Sequence, residues 1–470
     1  MFGFTGGIVA GVMDGRKLPR IPTGLVVQSV TALFWARLGS LNALELTAQS
    51  SFFRKWLGAP VCSADSVGRV VALMEPAGIR AGIHSLYSQL KRNKALPDQN
   101  GLGVAVIDGH ESHASYRRHC SGCMERTIGK GAAARTQYDH RQVTLMLLPA
   151  ALPGKVALRL LLDHEPQQNG EAEVTAALRL LKRVLKTYPR AFDLVLADAL
   201  YSTSTVFNFF LSQGKHILTV LKDDRRNLYQ DAAAQFAVLA PTEGSLGSRK
   251  CLWWDLPGLL SWPAVDAPVR VIRSVETRTV RRQLDGKQEM LTSDWVWVTT
   301  LPSDSVPTAR AVSLGHQRWD IENQGFNELV NGWHADHIYK HAANAAGLPG
   351  LQSVSSLLRP QPKTGDPQGL HPRLLAGSDG HRNPRRNPFR SFSLKSSSLT
   401  SSMCVCSTVL PLVASPPQCA TPRPNCKFLA LSSPPFSPNK RQAQPSPSKL
   451  HSRARNPPAV SWLRCWLRNR

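Results

Sequence analysis

The chain has 470 residues, of which 57 are Lys or Arg and 32 are Asp or Glu, giving a net charge of +25. This length can bury a sizeable core and hold two or three domains. The excess of positive charge predicts a polyanionic partner, most simply nucleic acid. The sequence shows no secretory signal and no run of about 18 apolar residues. Its 9 cysteines are too scattered for a disulfide framework. We therefore expect a cytoplasmic protein that does not cross a membrane.

Residues 1–100 are predicted to form a small, basic helical domain. Apolar or amphipathic segments at residues 25–48, interrupted by Gly39, at 66–74 and at 79–90 predict helices. The last segment is followed by the basic sequence KRNK. Short helices with basic ends suit DNA binding, although an ordinary helical bundle has the same features.

From residue 101 strands and helices alternate, which predicts an α/β domain. Predicted helices occupy residues 172–187, where Glu171 and Glu173 near the start suit the helix dipole, and 204–213, with Gly214 as a C-terminal cap. The predicted strands lie at residues 103–107, 142–148, 157–162, 192–198 and 217–221.

This α/β domain, residues 101–345, is predicted to contain a β-rich insertion at about residues 235–305. Segments 268–282 and 292–300 are rich in β-branched residues and contain Trp, so they predict two strands. The Asp-Gly pair at 285–286 between them favours a hairpin turn.

The stretch from Arg318 onward predicts a helix that carries an acid on its apolar side. At about 100° per residue, Glu322 falls within the apolar stripe. The stripe consists of Trp319, Phe326, Leu329, Val330 and Trp333. A carboxylate on a buried face is costly unless a cation or hydrogen-bond donor meets it, and Arg318 lies one turn earlier. Glu322 is therefore either half of a buried ion pair or a metal ligand.

Two further acids, Asp108 and Asp198, each follow a predicted apolar strand. In parallel α/β sheets, ligands bind outside the carboxyl ends of the strands. Together with Glu322, these acids would form a hard-oxygen site suited to Mg²⁺ or Mn²⁺, where two ions support phosphoryl transfer. The alternative is that Asp residues after strands only cap turns or helices.

Four blocks of the sequence combine these acids with fixed neighbours. They are VIDGHE (106–111), FDLVLADALY (192–201), HILTVLKDDR (216–225) and HQRWDIENQGFNELVNGWHADHIYKH (316–341). An Asp is followed three residues later by Tyr, and an Arg precedes a Glu by four residues. In this ordered combination the chain resembles the DDE transposases of bacterial insertion sequences, in the subgroup with a β-rich insertion before the Glu. The resemblance covers roughly residues 1–341.

The resemblance implies an RNase H-like fold, a five-stranded mixed sheet with flanking helices. It implies that Asp108, Asp198 and Glu322 are the catalytic and metal-binding triad, with two Mg²⁺ or Mn²⁺ ions. The residues expected to contact DNA are Tyr201, Lys222 and Arg318, together with Lys340 next to the predicted acidic site.

The implied activity is metal-dependent DNA cleavage at insertion-sequence ends, followed by strand transfer. The implied partners are double-stranded DNA, both terminal repeats and target, and a second copy of the chain, in the bacterial cytoplasm with the nucleoid. The chain departs from the family at Gly315, where a Tyr is usual, and at residues 328–330, where a Lys is common. A nuclease without strand transfer and a catalytically defective DNA-binding remnant are the alternatives.

The Cys120/Cys123 pair allows a second kind of metal site. With nearby His113, His119 or His140 the two thiols could complete a tetrahedral zinc site, but no second pair at recognised spacing is present. Reduced structural thiols are the alternative. A separate group of His334, His337 and His341 is predicted to share one helical face, which could bind a metal, although DNA contact or plain solvent exposure is favoured.

The C-terminal segment, residues 346–470, is predicted to be a disordered tail. Residues 351–470 hold 18 of the 34 prolines and 18 of the 57 Lys and Arg, but only 2 of the 32 acids. Such a composition buries too little apolar surface to offset the chain entropy. The abrupt change suggests an out-of-frame or otherwise degraded end, and a natural basic tail is the alternative.

Overall fold

The computed structural model describes residues 11–59, 62–155, 157–281, 286–337 and 339–342. The predicted tail, residues 346–470, therefore lies outside the described residues. Within the described ranges, no helix has both the length and the apolar character that crossing a bilayer requires.

Among the described residues, the N-terminal part contains helices α1 (Thr23–Trp35), α2 (Leu41–Thr47), α3 (Ser51–Leu57), α4 (Ala64–Val71) and α5 (Pro76–Arg92). Strands and helices then alternate as β1 (Val104–Ser115), β2 (Met124–Ile128), β3 (Arg135–Leu147), β4 (Leu160–Pro166), α6 (Glu173–Thr187), β5 (Leu194–Ala197), α7 (Ser204–Ser212), β6 (His216–Val220) and α8 (Asn227–Val238). The remaining elements are β7 (Thr242–Leu246), β8 (Arg249–Leu259), β9 (Val269–Arg281), β10 (Gln288–Thr299), α9 (Thr308–Gln317), a π-helix (Ile321–Phe326) and α10 (Asn327–Trp333).

One ten-stranded sheet organises these elements, in the order β2-β3-β1-β5-β6-β10-β9-β8-β7, with β4 also paired to β3. Strands β1, β5 and β6 are mutually parallel neighbours, and all other pairs are antiparallel. Helices flank the sheet. The prediction of an α/β fold with a mixed sheet and flanking helices is thus confirmed.

The two faces of the sheet bury different sets of helices, because side chains alternate along each strand. Val104 and Val106 of β1 belong to a cluster that includes residues of α1–α5 and of the segment from α9 to α10. Ala105 and Ile107 point to the opposite cluster, which α6, α7 and α8 supply. The N-terminal helices and the sheet therefore share one hydrophobic cluster.

Several predicted elements have different bounds in the structure. The predicted strand at 103–107 is wrong about its end, because β1 continues through Asp108 to Ser115. Its parallel pairing with β5 stops at Val106, but β3 continues to supply hydrogen bonds along the whole polar half. The apolar segment 25–48 is divided into α1 and α2, and α3 was not predicted.

The predicted β-rich insertion extends the main sheet. Strands β9 and β10 pair along their full lengths, and β10 also pairs with β6. Of the predicted hairpin turn, Gly286 adopts a positive φ of 67°, which a glycine tolerates without a steric cost. Asp285 lies outside the described residues.

Candidate functional site

Asp108 lies where the apolar half of β1 gives way to its partly exposed half. Its side chain is 14% exposed, and one carboxylate oxygen, Oδ1, accepts a hydrogen bond of 2.9 Å from the backbone N–H of Gly109. The other oxygen, Oδ2, lies 3.5 Å from Nη1 of Arg318. Asp108 thus sits just beyond the point where β1 and β5 separate.

Asp198 follows β5 directly and is half-buried. Its Oδ1 accepts a hydrogen bond of 2.8 Å from the backbone N–H of Leu200, so it caps the 3₁₀ helix Ala199–Tyr201. The capping role considered for such an Asp is therefore present. Because β1 and β5 are parallel neighbours, the same carboxylate also lies at the edge where Asp108 emerges.

Arg318 connects the acid on β1 with the acid on the helix. The residue is buried, with 7% of its surface exposed. Its Nη1 lies 3.2 Å from Oε1 of Glu322 and 3.5 Å from Oδ2 of Asp108. The guanidinium also lies over the ring of Trp319, 4.0 Å from the ring centroid. The predicted Arg318–Glu322 ion pair is confirmed, and the same arginine meets a second acid.

A π-helix around Glu322 changes which side chains share one face of this helical segment. The backbone N–H of Asn327 donates to the carbonyl of Glu322, five residues earlier, where an α-helix would use four. The wider turn rotates the following residues relative to the preceding ones. Trp319 is consequently exposed, whereas Phe326, Leu329 and Trp333 are buried. The prediction that Trp319 belongs to the buried apolar stripe is wrong.

The electrostatics show that the three predicted acids lie close together. Burial raises the pKa of Asp108 well above its ordinary value, and the guanidinium of Arg318 opposes this change. The negative charges of Asp198, Glu322 and Glu173 raise the pKa of Asp108 further. Asp198 and Glu322 therefore lie near enough to Asp108 for their charges to act on it, as does Glu173, an acid that the sequence did not single out.

That additional acid is Glu173, the first residue of α6. Burial and the charge of Asp198 raise its pKa, although a hydrogen bond from Tyr201 opposes the change. A side chain at Gly109 would overlap the Glu173 carboxylate, which would then have to shift. In the sequence Glu173 resembles any acid that favours a helix N-terminus, and no local signal assigns it to the cluster.

Tyr201 lies beneath the acidic cluster. Its side chain is fully buried, and its hydroxyl donates a hydrogen bond of 2.8 Å to Oε1 of Glu173. Burial and the neighbouring acids raise the pKa of Tyr201, so it remains a neutral donor. In this arrangement Tyr201 orients an acid, and its expected contact with DNA stays a prediction.

The two lysines expected to contact DNA lie on other elements. Lys222 is exposed, two residues after the end of β6. Lys340 is half-buried beside α4, since a Cβ added to Gly68 would lie 3.6 Å from Lys340 Cδ. Their contact with DNA also stays a prediction.

A second group of metal-ligating side chains forms around the cysteine pair. It consists of Cys120, Cys123, His140 and His341. Of the histidines predicted near the thiols, His140 belongs to this group and His119 packs against Tyr138 instead. The predicted helical face of His334, His337 and His341 is wrong, because α10 ends at Trp333 and His334 has a positive φ of 54°.

The chain matches no model of a known protein family and no curated protein sequence. Its function is therefore inferred from the residues themselves.

Proposed function

We propose that the protein is a DDE transposase that cleaves DNA at the ends of an insertion sequence and joins those ends to target DNA. The observation that carries the proposal is the convergence of Asp108, Asp198 and Glu322. These acids come from β1, from the end of β5 and from the π-helix, separated by 90 and 124 residues in the chain. Their neighbours also fit the pattern that the sequence shares with these enzymes.

The donor chemistry of the cluster fits a hard divalent cation. The charges of Asp198, Glu322 and Glu173 act on Asp108, and Arg318 contacts the carboxylates of Asp108 and Glu322. Burial is the main cause that raises the pKa of Asp108 and of Glu173, and neighbouring negative charge raises both further. Oxygen donors of this kind suit Mg²⁺ or Mn²⁺. When bound, such ions lower the pKa of an attacking water or hydroxyl and stabilise the leaving oxygen.

The residues of the chain have separate roles in this proposal. Asp108, Asp198 and Glu322 would hold the cations, and Asp108 would give up its proton when they bind. Arg318, released from the acids by the added positive charge, would grip phosphate oxygens with its planar guanidinium. Tyr201 keeps the fourth acid in place through its hydrogen bond.

The topology supports an RNase H-like core for the proposed enzyme. Strands β4, β3, β1, β5 and β6 form a mixed five-stranded unit, and the β-rich strands β7–β10 lie between Asp198 and Glu322 in the chain. We further propose a homodimer on double-stranded DNA in the bacterial cytoplasm, since two ends must be held together for joining. Lys222 and Lys340 would contact the DNA backbone.

One departure from the sequence pattern of the family supports the two alternative functions, a nuclease without strand transfer and a DNA-binding remnant. At Gly315, where the family usually has a Tyr, a Cβ would lie 2.6 Å from the ring of Trp297, so no side chain fits. A DNA contact made by that tyrosine is therefore missing. The loss favours either cleavage without strand transfer or DNA binding without catalysis as the second candidate function.

The test uses the full chain and labelled DNA duplexes taken from the sequence on each side of its coding region. With Mg²⁺ or Mn²⁺, we expect cleavage and joined products that disappear in Asp198→Ala but persist in the exposed-surface control Arg225→Ala. Cleavage without joined products would indicate the nuclease. Binding without cleavage would indicate the remnant. Cleavage that persists in Asp198→Ala would overturn the assignment of the site.

A further inference from the structure

The turn between β1 and β2 brings two thiols beside two imidazoles. Cys120 and Cys123 lie on the turn, His140 lies on β3, and His341 follows α10. The ligand atoms of these four residues all lie within 4.8 Å of one another. His341 is separated from Cys123 by 218 residues in the chain, so the fold alone creates the group.

Three of four distances within the group are close to those of a tetrahedral site, and the fourth, from His341 to Cys123, is shorter. The two sulfurs are 3.8 Å apart, and Nε2 of His140 lies 3.3 Å from Cys120 Sγ and 3.4 Å from Cys123 Sγ. Nε2 of His341 lies 2.9 Å from Cys123 Sγ. An ion about 2.3 Å from sulfur and about 2.0 Å from nitrogen at tetrahedral angles would separate two sulfurs by about 3.8 Å, and sulfur from nitrogen by about 3.5 Å.

We propose that Cys120, Cys123, His140 and His341 bind one zinc ion. Two sulfur and two imidazole ligands in a tetrahedral arrangement suit zinc, whereas Mg²⁺ and Mn²⁺ prefer oxygen ligands. The group is therefore distinct in chemistry from the acidic cluster.

The backbone of the turn shapes the thiol pair before any ion binds. The N–H of Cys123 donates to the carbonyl of Cys120 at 3.1 Å, and the N–H of Cys120 donates to Cys123 Sγ at 3.2 Å. The turn lies against β3 because Met124, the first residue of β2, pairs with Asp139. These contacts place both sulfurs beside the imidazole of His140.

A third histidine, His113, packs against the two histidines of the group. The ring of His113 lies 4.9 Å from that of His140 and 5.4 Å from that of His341. His113 Nε2 is buried and has no hydrogen-bond partner among the described residues, and the same is true of His341 Nδ1. Buried polar atoms normally have partners, so this packing is costly unless another interaction supports it. Metal ligation by the adjacent imidazoles would supply that support.

A disulfide is the competing use of the two thiols. It would require a sulfur–sulfur distance of about 2.05 Å, compared with the 3.8 Å observed. It would also leave His140 and His341 facing an apolar disulfide in place of an electrophile. The imidazoles therefore favour metal binding over oxidation.

The zinc ion would anchor the end of the helix that carries Glu322. That helix continues from the π-helix through α10, and His341 lies eight residues beyond α10. Binding would fasten this segment to the polar half of the β1–β3 pair, the same strands that carry Asp108. The inference does not rest on the proposed function, because it follows from the four ligand side chains and not from the chemistry of the acidic site.

The test measures zinc content and stability of the full chain, purified reduced and dialysed against metal-free buffer. We expect about one zinc ion per chain by mass spectrometry of the metals, less than about a tenth of that in Cys123→Ser and in His341→Ala, and an unchanged amount in Cys62→Ser and His113→Ala. Cobalt in place of zinc should give the intense visible bands and the sulfur-to-cobalt charge-transfer band of a tetrahedral thiolate site. A chelator should lower the unfolding temperature of the wild type but not of Cys123→Ser.

Other results overturn the proposal. An amount of zinc in Cys123→Ser and His341→Ala equal to that in Cys62→Ser would show an adventitious ion. Loss of zinc in His113→Ala with retention in His341→Ala would show that the ligands are wrongly assigned. A wild type that contains no zinc and does not acquire it, whether its thiols are free or joined in a disulfide, would exclude the site. These readouts do not involve DNA, so they are independent of the cleavage test.

Discussion

Replacing Arg318 by Ala tests whether this arginine compensates the buried acids. Removing one partner of a buried ion pair costs about 3–5 kcal/mol. Here the contacts are long, at 3.2 and 3.5 Å, and the Glu322 side chain is 41% exposed. Solvent screening at Glu322 reduces the contribution of the Arg318–Glu322 pair to stability. We therefore expect Arg318→Ala to lower the free energy of unfolding by about 1–3 kcal/mol at pH 8.

The pH dependence distinguishes this electrostatic cost from lost packing. The pKa of Asp108 is higher in the folded chain than in the unfolded chain, so folding takes up a proton between the two values. The folded state is therefore destabilised as pH rises through that window. In the folded chain Arg318 lowers the pKa of Asp108, so its removal raises that pKa further. Each additional pKa unit lowers the free energy of unfolding by about 1.4 kcal/mol at pH values above the window. Near pH 4 the folded wild type and the folded variant both keep Asp108 protonated, because its folded pKa lies well above 3.8, so this part of the cost is absent.

The assay is urea denaturation of the full chain without divalent ions at several pH values between 4 and 8. Arg318→Ala is compared with the wild type and with Arg225→Ala, whose side chain is 89% exposed. We expect the free energy of unfolding of Arg318→Ala to fall further below that of the wild type as pH rises. For Arg225→Ala we expect almost no difference from the wild type. An equal loss of stability in Arg318→Ala at pH 4 and at pH 8 would refute the electrostatic reasoning, because the lost packing against Trp319 would then be the remaining cause.

Three further substitutions, two beside the acidic site and one at a separate ion pair, are tested by the same denaturation assay. Glu173→Gln removes a buried charge but keeps an acceptor for the neighbouring tyrosine, so we expect about 1 kcal/mol of added stability at pH 8 and none at pH 4; reduced stability at pH 8 would contradict this. Gly109→Ala introduces a Cβ that overlaps the Glu173 carboxylate and should cost about 1–3 kcal/mol, whereas an unchanged stability would show that the acid moves freely. Asp255→Asn weakens the pair with Arg270, whose side chain is only 3% exposed, and should cost about 2–4 kcal/mol; a loss below about 0.5 kcal/mol would show that the pair is not needed.

The elements that the sequence predicted well are those whose signal is local. The helix predicted at residues 172–187 is observed at Glu173–Thr187, and Gly214 adopts a positive φ of 61° just after α7. The amphipathic pattern of α6 and the glycine after α7 are each local features of a few neighbouring residues. The short strands β5 and β6 were recognised for the same reason, since each is a brief apolar run.

The features that the sequence did not predict depend on residues far apart in the chain. The polar half of β1 forms because β3 supplies hydrogen bonds, although its own side chains lack an apolar run. Glu173 joins the acids only because α6 begins beside β1. His341 reaches the thiols because the chain turns after α10, which a helical pattern does not foresee. The π-helix likewise has no recognised signal in its residues.

The most direct test of the acidic site is the binding of Mn²⁺ to the full chain, followed by the electron paramagnetic resonance signal of the free ion. We expect the wild type to bind Mn²⁺ more tightly at pH 8 than at pH 6, because Asp108 has to lose its proton before it can act as a ligand. Asp108→Asn should weaken binding by about tenfold or more, whereas the surface control Arg225→Ala should leave it unchanged. Equal Mn²⁺ affinity in the wild type and Asp108→Asn would contradict the proposal that these acids form a metal-binding catalytic centre.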